Sequence, residues 1–154
     1  ATGTIGQHVL KSNLFKDYDF ICLVRKSQDI KKMRVSGNID CCSFDMADSV
    51  INTADSFIHL ASLTRSANIN RLTESNETLT ESCIDLANRM KIPQFIFLSS
   101  NLAGKPCGPY GESKRNCERL VKTRYGGNYV IIRAPSVEVN SLPATNSSMF
   151  QLKA

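Results

Sequence analysis

A doubly wound α/β domain, a parallel sheet with helices on both faces, is the fold class this sequence predicts. Three observations carry it. Apolar runs of strand length recur along the chain, as in Phe20–Val24, Ser56–Ala61, Gln94–Ser99 and Tyr129–Arg133. Longer amphipathic stretches lie between them, with no internal repeat or low-complexity tract. And 42% of the 154 residues are apolar, enough to fill one core at a length that suits one domain. Continuous apolar strands alternating with helices are the mark of strands buried on both faces.

Taken in order, the first helix is predicted over 5–13, where Ile5, Val9 and Leu10 share a face with Leu14. Phe20–Val24 is the first strand, and the weaker Val35–Cys41 is the second. A helix over 46–53 leads to the strand Ser56–Ala61. The longest helix is predicted over 66–90, since Leu79, Cys83, Leu86, Ala87 and Met90 recur at steps of three and four. Gln94–Ser99 follows as a strand, then a helix over 110–124 and the strand Tyr129–Arg133. Residues 1–140 are therefore read as the domain. From Ser141 to Ala154 the chain is rich in Ser, Asn, Pro and Thr without a period, and reads as loop or the start of a further region.

Charge and cysteine usage narrow the function classes. Nineteen Lys and Arg against 14 Asp and Glu give a net charge of +5. The basic residues are dispersed and not interleaved with aromatics, which argues against nucleic-acid binding. No apolar run nears the roughly 20 residues that span a bilayer, and no secretory signal opens the chain. The six cysteines form no CxxC pair and are read as reduced thiols of a cytoplasmic protein. With only His8 and His59 as histidines, a metal site is not expected.

The first functional signal is Ala1-Thr2-Gly3-Thr4-Ile5-Gly6, which runs straight into the first helix. A glycine turn at a helix start lets backbone N–H groups approach a pyrophosphate, at the positive end of the helix dipole. Gly3, Thr4, Ile5 and Gly6 are thus candidate cofactor residues of a Rossmann-type domain. The next strand ends in Leu23-Val24-Arg25-Lys26. An acidic residue there accepts a ribose 2′-hydroxyl, whereas Arg suits a 2′-phosphate. Arg25 and Lys26 therefore favour NADP over NAD, against the plainer reading of a solvated strand end. In such a sheet a strand precedes the glycine turn and lies at the centre. None is visible here, so the second and fourth strands of the full order are expected to lack their common neighbour. The chain reads as a fragment lacking its first strand.

The second signal is Pro109-Tyr110-Gly111-Glu112-Ser113-Lys114. On a helix, Tyr110 and Lys114 face the same way, one turn apart. A phenol of pKa about 10 is a poor base near neutrality, and a nearby ammonium favours the phenolate. The same Lys can hold a ribose hydroxyl. The strand Phe95–Leu98 ends in Ser99-Ser100, at the carboxyl edge where open α/β sheets bind ligands. A serine there can polarise a substrate oxygen, or simply cap the strand end. Ser, Tyr and Lys on a dinucleotide-binding sheet are a hydride-transfer constellation.

In these residues the chain resembles the extended short-chain dehydrogenase/reductases, the NAD-dependent epimerase/dehydratase family, over roughly residues 1–140. Ala1–Gly6 resembles the family's glycine turn without its first glycine. Phe44-Asp45-Met46 is similar to the segment that holds the adenine. Phe57-Ile58-His59-Leu60-Ala61-Ser62 is similar to the strand and loop lining adenosine and pyrophosphate. Asn76 matches the family's helix asparagine, and Phe95–Ser100 the strand bearing the catalytic Ser or Thr. Tyr110, Lys114 and Glu118 match the catalytic helix, and Ile132-Arg133-Ala134-Pro135 the end of the next strand.

The resemblance implies Ser100, Tyr110 and Lys114 as catalytic residues. It implies Gly3–Gly6, Arg25, Lys26, Asp45, Met46, Leu60, Ala61, Ser62, Ser99, Tyr110 and Lys114 at the cofactor, and Ser100 with Asn101 at the substrate. It further implies NADP or NAD as cofactor, a nucleotide sugar as substrate, and a homodimer as a plausible assembly. Asn101 replaces the acidic pair of sugar 4,6-dehydratases, so that elimination is not expected. Leu102-Ala103-Gly104 stands where many sugar enzymes carry Val-Tyr-Gly. Most of the substrate-binding region lies beyond what is present. The alternatives are an NADPH-dependent carbonyl reductase, a non-catalytic dinucleotide-binding module and an inactive truncated product.

Overall fold

A computed structural model describes residues 3–12, 17–25, 39–104, 106, 108–135, 137–139 and 150–152. Helix α1 (Thr4–Lys11) opens it, capped by Gly3 in extended conformation. Strands β1 (Phe20–Val24) and β2 (Ile39–Ser43) pair in parallel, Cys22 opposite Cys41. The second strand thus sits later than the predicted Val35–Cys41, and Lys26 lies outside the described residues. A 3-10 turn (Phe44–Met46) leads into α2 (Ala47–Val50), one turn where eight residues were predicted to be helical. The chain is extended again at Ile51, which is buried and packs beside Ala47. Tertiary packing of that apolar pair overrides the helical spacing.

Strand β3 (Ser56–His59) pairs in parallel with β4 (Gln94–Ser100), and β4 with β5 (Asn128–Ala134). Among the described residues, β1 has only β2 as strand neighbour and β3 only β4. Leu23 of β1 nonetheless joins Phe44, Ala47, Ile51 and Leu86 in one apolar cluster, which ties the two pieces together.

Helix α3 (Ile69–Arg89) starts three residues later than predicted, because the Asn68 side chain caps it by accepting from Arg71 N–H at 3.2 Å. It ends in a Schellman turn: Lys91 N–H reaches Asn88 O, and Ile92 N–H reaches Ala87 O. Lys91 takes the left-handed conformation (φ 52°) that this turn requires. Helix α4 (Gly108–Arg124) starts two residues before the predicted position. Pro109 is at home in a first turn, where its missing N–H has no helical partner to lose.

The main core lies between these two helices and one face of the sheet. Phe95, Phe97, Ile84, Cys117 and Val121 are almost fully buried there, and Phe57 stacks on Phe95 with ring centroids 5.2 Å apart. Of the predicted helix stripe, Cys83, Leu86 and Ala87 are buried while Leu79 and Met90 pack at its margin. Tyr125 closes the far end, its hydroxyl donating to Ile92 O. Near the chain end, β6 (Val137–Val139) pairs antiparallel with β7 (Phe150–Leu152). The tail, read as loop or the start of a further region, includes the short strand β7. Among the described residues, Cys22, Cys41, Cys42, Cys83 and Cys117 are in no disulfide. Among the described residues no helix is long and apolar enough to cross a membrane, and no cluster of His, Cys, Asp or Glu is placed to hold a metal.

Candidate active site

The site is assembled where three segments meet at the carboxyl edge of β3, β4 and β5: the loop after β3, the 3-10 turn after β4 (Asn101–Gly104), and the first turns of α4. Asn76 of α3 fixes the first of these. Its Oδ1 accepts from Leu63 N–H at 2.7 Å, while its Nδ2 donates to Leu63 O at 3.0 Å and to Ser113 Oγ at 2.8 Å. A buried amide is thereby satisfied, and the loop is bound to the helix that carries Tyr110.

Gly111 fixes the second contact. A Cβ at this position would lie 2.6 Å from Leu102 O, closer than real Cβ atoms come. The helix and the turn after Ser100 therefore touch backbone to backbone, directly beside Tyr110. Ser100 is half-buried, and its hydroxyl accepts from Leu102 N–H at 3.3 Å. Asn101 is exposed beside it.

Tyr110 is half-buried. Its pKa is raised above the ordinary value, first by burial; the neighbouring Ser62 hydroxyl works against that shift. Lys114 is buried at 3% exposure. Its Nζ donates to Leu98 O at 2.8 Å and sits 4.6 Å above the Phe97 ring. Burial pulls its pKa down to about 8, with Cys117 and Glu118 pulling the other way. The predicted arrangement, an ammonium that lowers the phenol's pKa, is therefore corrected. Burial dominates the phenol's shift, and the ammonium is turned to a strand carbonyl and an aromatic face. The physical reason is that both groups are desolvated and the ammonium takes the nearest partners that offset its burial.

Ser99, expected at the cofactor, points to the other side of the sheet. It is buried, and its Oγ donates to Glu118 Oε1 at 2.6 Å. Arg133 grips the same carboxylate with two bonds, Nε to Oε1 at 2.8 Å and Nη2 to Oε2 at 2.7 Å. The Arg133 bonds first of all hold Glu118 below the usual carboxylate range. Residues 15 and more apart in sequence thus clamp α4 to the ends of β4 and β5, a role that neither spacing nor periodicity revealed.

Beneath Lys114 lies His59, 3% exposed and pushed down to about 3 by burial and then by the Lys114 charge. Thr80 gives its one hydroxyl hydrogen to Asn76 O at 2.8 Å, so it accepts from His59 Nε2 at 3.0 Å. That fixes the imidazole as the neutral Nε2–H form, with Nδ1 facing Cys83 Sγ at 3.8 Å.

The remaining predicted residues sit at element ends. Gly3 is exposed, with nothing within 4 Å of where a Cβ would stand. It caps α1 without a side-chain bond to the helix's first turn. Thr4 is exposed, Ile5 half-buried and Gly6 buried. An open glycine leading into uncapped helix N–H groups fits an anionic pyrophosphate. Arg25 is exposed at the end of β1, and Asp45 and Met46 are exposed in the turn after β2. Leu60 is half-buried and Ala61 exposed in the loop that continues to Ser62.

Comparison with known proteins follows the same outline. The sequence model of the NAD dependent epimerase/dehydratase family matches residues 1–150. No curated protein sequence matches the chain. The fold is similar to that of the WbmG enzyme of Bordetella bronchiseptica, solved with NAD and UDP, at 12% identity and a TM-score of 0.71. It is similar to a UDP-glucuronic acid 4-epimerase from Bacillus cereus, solved with NAD, at 19% identity and 0.69. A UDP-N-acetylglucosamine 4-epimerase from Bacillus cereus gives 21% identity and 0.65. These matches cover 91%, 90% and 86% of this chain, but only 53%, 56% and 50% of the other chains. At such identities the likeness shows the Rossmann-like fold alone, and the chain spans about half the length of these structures. With the family's sequence model extending over nearly every residue described above, the chain belongs to the NAD-dependent epimerase/dehydratase family.

Proposed function

We propose that this chain is the dinucleotide-binding part of an NAD(P)-dependent oxidoreductase or epimerase acting at a carbinol or carbonyl carbon of a nucleotide sugar. The observation that carries the reading is the placing of Tyr110. A half-buried phenol stands at the carboxyl edge of the sheet, with the Ser100 turn packed against the next residue and a buried ammonium one helical turn on.

Gly3–Gly6 at the start of α1 would hold the pyrophosphate, and Asp45, Met46 and Leu60–Ser62 would line the adenosine side. When bound, the dinucleotide supplies the acceptor or donor of hydride. The chain's own residues handle the proton and the geometry. Tyr110 takes the proton from a carbinol hydroxyl or returns it to a carbonyl oxygen. The Ser100 hydroxyl donates to that same oxygen as its charge changes. Lys114, titrating at about 8, holds a mobile positive charge one turn away, available to a ribose hydroxyl.

The UDP-sugar epimerases among the similar folds support the nucleotide-sugar reading. A second reading, an NADPH-dependent reductase of a non-sugar carbonyl, is favoured by exposed Arg25 at the end of β1.

Tyr110→Phe tests the first reading. In the protein assayed against a panel of nucleotide sugars and aldehydes, it should lower turnover by a factor on the order of 10^3 and leave dinucleotide affinity nearly unchanged. Equal turnover would remove Tyr110 from the chemistry. Arg25→Asp should move preference from NADP toward NAD by about tenfold; an unaltered cofactor ratio would refute the assignment of Arg25.

A further inference from the structure

Two adjacent residues of β4 receive the Lys114 side chain. The Leu98 carbonyl oxygen accepts from Nζ at 2.8 Å, and the Phe97 ring lies under the same nitrogen with its centroid 4.6 Å away. That is well inside the roughly 6 Å over which a ring quadrupole attracts a cation. Ring and ammonium are both almost sealed, at 1% and 3% exposure, where solvent screens the attraction least.

Other contacts fix the ring in turn. Phe97 lies against the His59 ring with centroids 5.4 Å apart, and His59 Nε2 is tied to Thr80 Oγ1 at 3.0 Å. Thr80 donates to Asn76 O at 2.8 Å. The aromatic face under the ammonium is thus held by a chain of contacts rooted in α3. An ammonium carries three hydrogens and no lone pair. One hydrogen goes to Leu98 O. The ring offsets positive charge as a diffuse face rather than through a lone pair, which leaves donor capacity for a hydroxyl brought from outside. We propose that Phe97 is a positioning residue for Lys114: its ring, held by His59, fixes the ammonium beside the Leu98 carbonyl at the carboxyl edge of β4.

This role rests on Lys114 as the cation of the proposed site, but its test reads the ammonium itself and needs no turnover. The titratable groups around Lys114 are Tyr110, Cys117 and Glu118 on α4, Glu77 and Cys83 on α3, His59 on β3 and Arg133 on β5. Glu118 is bound by Arg133 and Ser99, and Glu77 by Asn116 at 2.6 Å. His59 is neutral, while burial raises Tyr110, Cys117 and Cys83, the last to about 12. Lys114, at about 8, titrates above the histidine and below the thiols and the phenol, so its step stands apart on a pH axis.

The lysines are isotope-labelled at Cε and followed by NMR through a pH titration, with Lys114→Met assigning the Lys114 signal. Phenylalanine bearing one, two or three ring fluorines is placed at position 97. Each fluorine withdraws electron density from the ring face while the ring keeps nearly the same shape. The attraction favours the charged form, so the Lys114 midpoint should fall stepwise, by about 0.5–1 pH unit with three fluorines, roughly three- to tenfold less ammonium at a given pH. The trifluorinated ring in place of Phe95, which meets Phe57 and Tyr125 instead, should leave the midpoint at the parent value. The monofluorinated chain should shift it in the same direction by a smaller step, and serves if the trifluorinated chain does not fold. A midpoint unmoved across the position 97 series overturns the proposal. So does one that moves as far when position 95 carries the fluorines. Failure of Tyr110→Phe to lower turnover would sink the enzymatic reading and leave the Lys114 shift standing, so the two failures are distinguishable.

Discussion

Strand β4 has two faces, and they have opposite fates. Phe95, Phe97 and Ser99 point into the α3–α4 core, with exposures of 0%, 1% and 3%, while Gln94, Ile96, Leu98 and Ser100 alternate with them and stay partly accessible. Consecutive serines at the strand end are thereby divided. Ser99 is bound under Glu118 and Arg133, and Ser100 faces the turn at the site edge. Identical chemistry one residue apart becomes framework on one face and candidate machinery on the other, because side chains in a strand alternate with a period of two.

The contrast can be broken most severely from the core side. Phe95→Ala should cost about 3–5 kcal/mol, and Ile96→Ala on the opposite face only about 1 kcal/mol; urea unfolding of the two variants measures the difference. Similar losses would mean that both faces are packed alike.

Lys114 tests the border between the faces, since it is buried yet belongs to the site. Its folded pKa of about 8 lies below its ordinary 10.5, so folding disfavours the charged form. The resulting penalty is fully present below about pH 8 and fades as pH rises toward the unfolded value. Lys114→Met should therefore stabilise the chain at neutral pH by about 1–3 kcal/mol while turnover is lost. The gain should shrink above pH 8, as unfolding at a series of pH values would reveal. A methionine variant less stable than the parent at neutral pH would contradict the desolvated state of the ammonium.

The smallest effect sharpens the comparison most. Ser99→Ala should cost about 1–2 kcal/mol, since it leaves a buried carboxylate with one donor fewer. Ser100→Ala should stay within about 0.5 kcal/mol of the parent in stability and lower turnover instead. Paired unfolding and activity measurements check the split, and a reversed order would exchange the roles of the two serines.

What the sequence made legible follows the same division. Apolar runs located β1, β4 and β5 to within a residue and β3 to within two, because a short run of apolar residues leaves a local signature. The four-residue spacing of Tyr110 and Lys114 placed both on one helix, and α4 contains them. Sites that depend on long-range pairing were not legible. Ser99, Glu118 and Arg133 converge from three elements. Asn76 reaches the residues at 63 and 113. In the sequence His59 reads as no metal ligand and as part of a strand and loop lining a cofactor, whereas it is sealed and neutral beneath Lys114. The direction in which Lys114 points was missed for a related reason: spacing tells which face a residue shares, not which partner desolvation will make it choose.

The contact at Gly111 has a broader consequence. Because a hydrogen atom stands where every other residue carries carbon, the spacing between the serine turn and the tyrosine helix is dictated by main chain meeting main chain. Side chains around the candidate site can then be exchanged without altering how closely the turn and the helix approach. A ruler made of backbone holds that separation whatever surrounds it.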